Sequence, residues 1–323
     1  MAKEKAVPVS RDEVVNAYRF ILGREPESEE VVSKGMAHSE FASLRDAFLD
    51  SSEFRGSLAT RGTPPPIGRF FDAQSHGTDI ACTEAQMSQM LARISSAWQE
   101  FGRTEPHWSV LTSEKFKKDN IQDNIDDFYA SGVKSVDRDF NFLRRSNRPL
   151  SFRKGLDFGC GVGRLTLALS PYCESVVGID ISPPHIKLAN EQAELRSVAN
   201  VEFRVLEQLD ELSRLEPFDL ILSKIVLQHN PPPIMAAILR HLLTALAEGG
   251  SAIIQMPSYK ATQEFTVDEY LRSEPPKMEM NALPQQFIFE IIDQAGCRCL
   301  EIREDNETGA LRGVSQTFAI TKK

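Results

Sequence analysis

The feature that most constrains the fold is an alternation of short apolar runs with helical stretches, which begins near Lys154. The stretches PPHIKLANEQAELRSV and PPIMAAILRHLLTALAEGG predict helices, because their apolar residues recur at helical spacing. Apolar strands that alternate with helices are typical of a parallel sheet covered on both faces. We therefore predict an α/β fold with a doubly wound, mostly parallel sheet of seven strands, the last two forming an antiparallel pair at one edge. The predicted strands are KGLDFG, SVVGIDI, VEFRVL, FDLILSKIV, SAIIQMP, CRCLEIRE and QTFAITKK.

A glycine-rich turn follows the first of these strands. The string LDFGCGVGRL places Gly159, Gly161 and Gly163 at alternate positions, and Asp157 precedes the first glycine by two residues. Glycine costs backbone entropy and offers no side chain to pack, so this turn indicates that a ligand approaches the main chain closely. In open α/β sheets, ligands bind beyond the carboxyl ends of the strands, at turns of this kind. A nicotinamide-binding turn would have the spacing G-x-G-x-x-G instead.

The string LDFGCGVGRLT resembles the first motif of the class I S-adenosylmethionine-dependent methyltransferases, an acid followed by G-x-G-x-G. The resemblance covers about 154–323 and implies a Rossmann-like methyltransferase fold with S-adenosyl-L-methionine as the cofactor. It also implies that Asp157 holds the ammonium of the methionine moiety, and that Asp180, which ends VVGID, binds the ribose hydroxyls. A carboxylate suits a diol because it only accepts hydrogen bonds and can accept two.

The same resemblance implies further site residues. Glu207 follows VEFRVL, near the place where the family has an acid beside the adenine. In FDLILSKIVLQHNPPP, Ser223 and Lys224 would lie under the cofactor, with His229 near the transferred methyl group. We predict His229 as the catalytic base, and the alternative is that it only fixes its loop. The predicted cofactor-binding residues are Asp157, Gly159, Cys160, Gly161, Gly163, Arg164, Asp180, Ile181, Glu207, Gln208, Ser223, Gln228 and Tyr129.

An aromatic segment precedes the glycine turn. WQEFGRTEPHWSVLTSEKF, followed by DFYASGV, resembles the lead-in of a group of bacterial methyltransferases, in which it folds over the cofactor. The resemblance implies that Trp108 and Phe116 form part of a wall, and that Tyr129, Ser131 and Gly132 touch the methionine end or the substrate. A plain aromatic core between the helices and the sheet is the alternative.

The first sixty residues predict a separate helical unit. RDEVVNAYRFIL and FASLRDAFLDSSEF have helical periodicity, and Gly23 and Pro26 lie between them, where one helix can end and the next begin. The segment YRFILGREPESEE…FLDSSEF resembles a helical module of bacterial proteins linked to surface polysaccharides, with the signature Y-x-x-L-L-G-R-x-P followed by F-L-x-S-x-E-F. We expect it to dock a protein partner. The predicted domains are a helical module at 8–60, a linker at 61–82, a helical lead-in at 83–150 and a methyltransferase domain at 151–323.

Composition narrows the class of partner. The formal net charge is −9 and we find no basic patch, which argues against nucleic acid as a partner. Five cysteines without a CxxC pair argue against a disulfide framework and against a metal site, and fit a reducing compartment. Neither a signal peptide nor a membrane span is predicted. We expect a cytoplasmic protein.

Together these patterns predict in-line transfer of a methyl group to a small-molecule or glycan acceptor, with oxygen as the expected acceptor atom. Two alternatives remain open from the sequence. One is a nicotinamide-dependent oxidoreductase on a similar sheet, against which the glycine spacing and Asp157 count. The other is a non-catalytic adaptor that keeps the cofactor-binding fold. The long polar segment 258–283, between the fifth strand and its helix, is expected to cap the acceptor pocket.

Overall fold

The structure is a computed structural model of the 323-residue chain. It describes residues 9–54, 77–260, 263–274, 278–305, 307–308 and 313–323. The chain divides into two compact units, residues 1–69 and 70–323. Most of the predicted linker, up to residue 76, lies outside the described residues.

Three short helices lie wholly within the described residues of the N-terminal unit. They are α1 (Arg11–Ala17), which continues as a π-helical turn (Tyr18–Leu22), α2 (Glu29–Met36) and α3 (Phe41–Asp50). Ser10 caps α1 through a reciprocal pair of hydrogen bonds with Glu13, which satisfies backbone donors at the helix start. The buried core of the unit consists of Val9, Val14, Val15, Ala17, Val32 and Leu44.

The two signature segments of this unit meet in space. The rings of Tyr18 and Phe48 lie edge to face, with centroids 4.8 Å apart. The Arg24 guanidinium lies 5.0 Å from the Tyr18 ring centroid, and its Nη2 donates a hydrogen bond of 2.7 Å to Glu53. Gly23 adopts φ +71°, a left-handed conformation that ends the first helical segment. The signature residues therefore hold the unit's own helices together.

The second unit begins with three helices, where the sequence predicts a helical lead-in. They are α4 (Glu84–Thr104), α5 (Pro106–Val110) and α6 (Ile121–Arg145), with a 3-10 turn at Glu114–Phe116. Thr83 caps α4 with Gln86 in the same reciprocal manner as Ser10 caps α1. The apolar faces of α4 and α6 both pack against the sheet that follows.

That sheet has seven strands in the order β3-β2-β1-β4-β5-β7-β6, which confirms the predicted fold. The first five strands pair in parallel, and β7 runs antiparallel to both β5 and β6. The strands are β1 (Phe152–Phe158), β2 (Cys173–Asp180), β3 (Val201–Val205), β4 (Phe218–Ser223), β5 (Leu246–Lys260), β6 (Cys297–Asp305) and β7 (Gly313–Lys322).

Helices cover both faces of the sheet. In β4, Ile221 belongs to the core that α4, α9 and α11 complete, whereas Leu220 and Leu222 belong to the core under α6 and α7. The helices that follow the strands are α7 (Arg164–Leu169), α8 (Pro183–Leu195), α9 (Pro232–Thr244), α10 (Val267–Arg272) and α11 (Gln285–Gln294). Within the described ranges, no helix is both long and apolar enough to cross a bilayer.

Candidate active site

A cleft of about 870 Å³ opens at the carboxyl ends of β1, β2 and β4. The glycine turn forms one side of it, and Leu91, Ile94 and Trp98 of α4 form the opposite side. Nine of the predicted site residues line this cleft: Asp157, Gly159, Cys160, Gly161, Arg164, Asp180, Ile181, Lys224 and His229. In the described part of the chain, no group of three or more His, Cys, Asp or Glu side chains is placed to hold a metal ion.

The glycine turn brings bare main chain to the cleft. Gly159 and Gly161 adopt φ +76° and +52°, the left-handed region that favours glycine. A Cβ on Gly159 would lie 2.5 Å from Val226 Cγ1, and a Cβ on Gly161 would lie 2.5 Å from Val110 Cγ2. Both distances are far below van der Waals contact, so neighbouring segments can close on this turn only because it lacks side chains.

Asp180 lies at the end of β2, across the turn. Its Oδ2 accepts a hydrogen bond of 2.8 Å from the Gly161 N–H, and its Oδ1 accepts one of 2.9 Å from the Ser182 N–H. These two bonds fix the carboxylate against the glycine turn. Each oxygen keeps a further lone pair, so Asp180 can still accept two hydroxyl groups from a ligand in the cleft.

Two buried side chains of opposite charge, Asp157 and Arg164, also line the cleft. Asp157 is 1% exposed, its Oδ2 accepts a hydrogen bond of 2.6 Å from Thr166, and burial raises its pKa to about 6. Arg164 is 5% exposed, and burial lowers its pKa while the nearby Asp157 opposes this shift. The Arg164 Nη1 lies 3.3 Å from Ser131 Oγ, but its buried Nε has no partner among the described residues. A ligand with both an ammonium and a carboxylate would satisfy this pair.

His229 lies in a 3-10 turn (Leu227–His229) that follows β4. Its Nδ1 is 2.7 Å from the Glu279 carbonyl oxygen, and since a carbonyl can only accept, Nδ1 carries the proton. The other ring nitrogen, Nε2, therefore has the free lone pair. Burial lowers the His229 pKa to about 4, so the ring is neutral at pH 7. The Trp98 ring packs beside it, with centroids 5.1 Å apart.

The segment predicted as a cap packs on the turn that carries His229. The Asn281 N–H donates a hydrogen bond of 2.8 Å to the Gln228 carbonyl, and the Asn281 amide donates one of 2.8 Å to the Glu279 carboxylate. The Tyr270 hydroxyl also donates to Glu279. Burial raises the Glu279 pKa to about 7. The position of His229 thus depends on residues about fifty positions further along the chain.

Six of the predicted cofactor-binding residues do not line the cleft, and four of them contact segments that border it. The Ser223 hydroxyl donates a hydrogen bond of 3.0 Å to the Phe158 carbonyl and so joins β4 to β1. The Tyr129 hydroxyl donates one of 2.9 Å to the carbonyl of Val162, inside the glycine turn. Gln228 is buried and offers its carbonyl to the cap segment. A Cβ on Gly163 would lie 3.0 Å from the Phe203 ring, so this glycine allows the turn to approach β3.

The other two, Glu207 and Gln208, point away from the cleft. Both are exposed, and Gln208 caps a 3-10 helix (Leu209–Arg214). Their neighbours Leu206 and Leu209 line the cleft instead. The structure therefore surrounds this end of the cleft with apolar side chains, where the resemblance implies an acid.

The aromatic lead-in forms a core. Phe116 packs against Phe128 with ring centroids 5.1 Å apart, and Phe128 packs against Tyr129 at 5.2 Å. Phe116, Phe128 and Tyr129 are buried in one cluster with Val162. This arrangement matches the alternative of an aromatic core, and Trp98 rather than Trp108 lines the cleft.

Sequence reasoning missed several lining residues. Leu91, Ile94 and Trp98 recur at helical spacing, a signal that predicts a buried face without saying what covers it. His185 and Ser109 gave no sequence signal. Their side chains lie 3.0 Å apart, and His185 Nδ1 is buried without a partner among the described residues.

The sheet order and the helices on both of its faces define a Rossmann-like α/β domain. Residues 153–308 match the model of a family described as a methyltransferase domain, slightly less than half of the chain. This part of the chain is therefore similar to a methyltransferase domain.

Two curated relatives are ubiquinone biosynthesis O-methyltransferases. The protein from Acinetobacter baylyi is 31% identical over 112 residues, which are 34% of this chain and 46% of that protein. The mitochondrial protein from Mus musculus is 30% identical over 157 residues, which are 47% of this chain and 37% of that protein. The chain thus spans less than half the length of these relatives.

A solved structure agrees with the fold. The magnesium protoporphyrin IX methyltransferase from Synechocystis PCC 6803, crystallised with bound SAH, superposes with a TM-score of 0.50. The sequence identity is 18%, and the match covers 72% of this chain and 99% of that one. At this identity the likeness shows the fold alone.

Proposed function

We propose that the protein transfers a methyl group from S-adenosyl-L-methionine to an oxygen of a small-molecule or sugar-containing acceptor. One observation carries this proposal: the Asp157 and Arg164 pair, the Asp180 carboxylate and the bare glycine turn all line a single cleft. The cofactor has complementary groups, an amino-acid zwitterion joined to a ribose.

The residues of the cleft would hold the cofactor as follows. Asp157 would accept hydrogen bonds from the ammonium, and the unpartnered Nε of Arg164 would donate to the carboxylate. Asp180 would accept from the two ribose hydroxyls. Bound there, the cofactor supplies an activated methyl group, and the protein contributes position and orientation. Positioning of this kind can lower a barrier by about 7–11 kcal/mol.

His229 is proposed as the base. Its Nε2 lone pair is available because Nδ1 is held by the Glu279 carbonyl, and the ring is neutral at pH 7 because burial keeps its pKa near 4. An acceptor hydroxyl could pass its proton to Nε2 as the new bond forms. Oxygen as the acceptor atom is supported by the curated relatives, which are named as O-methyltransferases. The segment that bonds to the His229 turn would close the site over the acceptor.

We also infer a cytoplasmic location and a docking role for the N-terminal unit. All five cysteines are free thiols, which fits a reducing compartment. The docking role is supported by the N-terminal unit being a compact body of its own, with Phe20 85% exposed on it.

The proposal is tested by isothermal titration of the full chain with S-adenosylhomocysteine, and with NAD as the comparison ligand. We expect heat from the first ligand only. Asp180→Asn should weaken S-adenosylhomocysteine binding by about 10- to 100-fold, because hydrogen bonds to a charged group contribute about 1.5–3 kcal/mol. Asp210→Asn is the matched control: it makes the same chemical change on an exposed side chain outside the cleft, paired with Arg214, and should stay within about twofold of wild type.

Heat from NAD alone, or equal affinity in Asp180→Asn and wild type, would contradict the proposal. The acceptor can then be sought by mass spectrometry of metabolites and surface polysaccharide from cells with and without the gene. A difference of one methyl group would identify it.

A further inference from the structure

A second cleft, of about 640 Å³, lies next to the first, and Lys224 lines both. Residues of α6, the end of β6 and β7 form its other sides. Lys224 directly follows Ser223, the last residue of β4, so the two clefts meet at the carboxyl end of the central strand. This is the edge of the sheet at which the first cleft also opens.

Buried charges fix the junction between the two clefts. The Lys224 Nζ donates hydrogen bonds of 2.8 and 2.9 Å to the two carboxylate oxygens of Asp139, and it lies 3.3 Å from Glu307. The Lys224 and Asp139 side chains are 3% and 4% exposed. Arg138 adds a contact of 2.7 Å to Glu307. A charge buried this deeply is costly unless it is paired, so the network holds Lys224 in one position at the boundary.

Polar and charged residues supply most of the described lining of the second cleft, and their carbon atoms add an apolar part to its surface. Among the described lining residues, Phe142 is the only apolar one, and basic and acidic side chains are equal in number. The basic ones are Arg138, Arg145, Lys224 and Arg303, and the acidic ones are Asp139, Glu304, Asp305 and Glu307. An apolar ligand would displace water from these charged groups and offer them no hydrogen bonds in return, which is unfavourable. The equal charges give no preference for a polyanion.

A hydroxyl group fits this lining because it can donate to carboxylates and accept from guanidinium groups. Thr317 and Asp305 show the pattern within the protein, since the Thr317 hydroxyl donates a hydrogen bond of 2.7 Å to the Asp305 carboxylate. A compound with several hydroxyls could make such bonds on several sides at once. Its carbon-bound hydrogens could pack on the Phe142 ring.

We propose that the second cleft binds the methyl acceptor, and that this acceptor is an uncharged polyhydroxylated compound of the sugar type. One of its hydroxyls would reach past Lys224 into the first cleft. There the acceptor oxygen bonds to the methyl carbon, the bond from that carbon to sulfur breaks with its electron pair left on sulfur, and the hydroxyl proton passes to His229 and then to water. This inference rests on the proposed function and names its substrate class.

The test uses the full chain saturated with S-adenosylhomocysteine. Ligand-observed NMR would measure binding of the methyl glycosides of glucose, galactose, mannose and rhamnose, with catechol as an aromatic probe. Asn141→Trp places a large ring in the second cleft from an exposed position on α6. Val133→Trp is the control: it lies on the same helix, is 50% exposed and lines neither cleft.

We expect at least one glycoside to bind the wild type. Asn141→Trp should weaken that binding by tenfold or more and leave the S-adenosylhomocysteine Kd within twofold, while Val133→Trp changes neither. Binding of catechol without any glycoside, binding of no probe at all, or equal glycoside binding in Asn141→Trp and wild type would overturn this inference alone. Failure of S-adenosylhomocysteine to bind would overturn the proposed function and this inference with it.

Discussion

The close approach at Gly159 leads to a quantitative prediction for Gly159→Ala. The new Cβ would occupy φ +76° and lie 2.5 Å from Val226 Cγ1. A left-handed alanine costs about 1–2 kcal/mol. Overpacking of a filled site costs about 1–3 kcal/mol more. We therefore expect the free energy of unfolding of the second unit to fall by about 2–5 kcal/mol.

A double-mutant cycle with Val226→Ala separates the two contributions. Removing the two methyl groups should relieve most of the steric part, because only the Val226 Cβ, 2.9 Å from the new Cβ, would remain, and it should leave the backbone part. The two substitutions should therefore be non-additive by about 1–3 kcal/mol. Urea unfolding followed by tryptophan fluorescence reports this unit specifically, because the two tryptophans of the chain, Trp98 and Trp108, both lie within it.

Two results would refute the reasoning. If Gly159→Ala unfolds within about 0.5 kcal/mol of the wild type, neither the backbone conformation nor the close contact is real. If the double variant loses the full sum of the two single losses, the steric contact with Val226 is wrong, and the backbone alone accounts for the effect.

Three further predictions concern buried titratable groups. The pKa of Asp157 is about 6, and the cofactor's ammonium would favour its charged form, so the S-adenosylhomocysteine Kd should rise about tenfold per pH unit below pH 6. In titration calorimetry, Asp157→Asn should bind S-adenosylhomocysteine more weakly, and its Kd should not change with pH in this way. An equal pH dependence of the Kd in both proteins would exclude Asp157 as its source. Burial raises the Glu279 pKa from 4.5 to about 7, so its contribution to stability is present below pH 4.5 and is lost as the pH rises through 7. The unfolding free energy of the wild type should therefore fall by about 3 kcal/mol over that pH range, and that of Glu279→Gln should not. Parallel curves of urea-derived unfolding free energy against pH for the two proteins would contradict this. His229→Gln should lower kcat by about 10²- to 10⁴-fold without changing the S-adenosylhomocysteine Kd, and unchanged turnover at saturating acceptor would show that His229 is not the base.

The fold was predictable because its signals are local. Each parallel strand is a short apolar run between helices, and the structure has the predicted strands in a seven-stranded sheet with an antiparallel pair at one end. The length of β5 was not predictable. It continues to Lys260, beyond the apolar run SAIIQMP, because Lys260 pairs with Gly313 of β7. That pairing depends on a strand more than fifty residues away, and nothing in the local pattern signals it.

Part of the lining of the cleft was predictable for the same reason. Asp157 and Asp180 stand at fixed distances from the glycine turn, and both line the cleft. Contacts over long separations left no such trace. Lys224 and Asp139 are 85 positions apart, and the carbonyl that fixes His229 comes from Glu279, 50 positions away. Residue type alone indicates that such side chains are polar, but only the packing of helices on the sheet brings them together.

The N-terminal unit is held together by contacts among four side chains, those of Tyr18, Phe48, Arg24 and Glu53. These side chains contact one another, so selection for a stable helical scaffold would preserve them whatever the outer surface of the unit does. Chains that share this signature can therefore present entirely different outer surfaces. Such differences would fall at exposed positions such as Phe20, which the signature leaves free to vary.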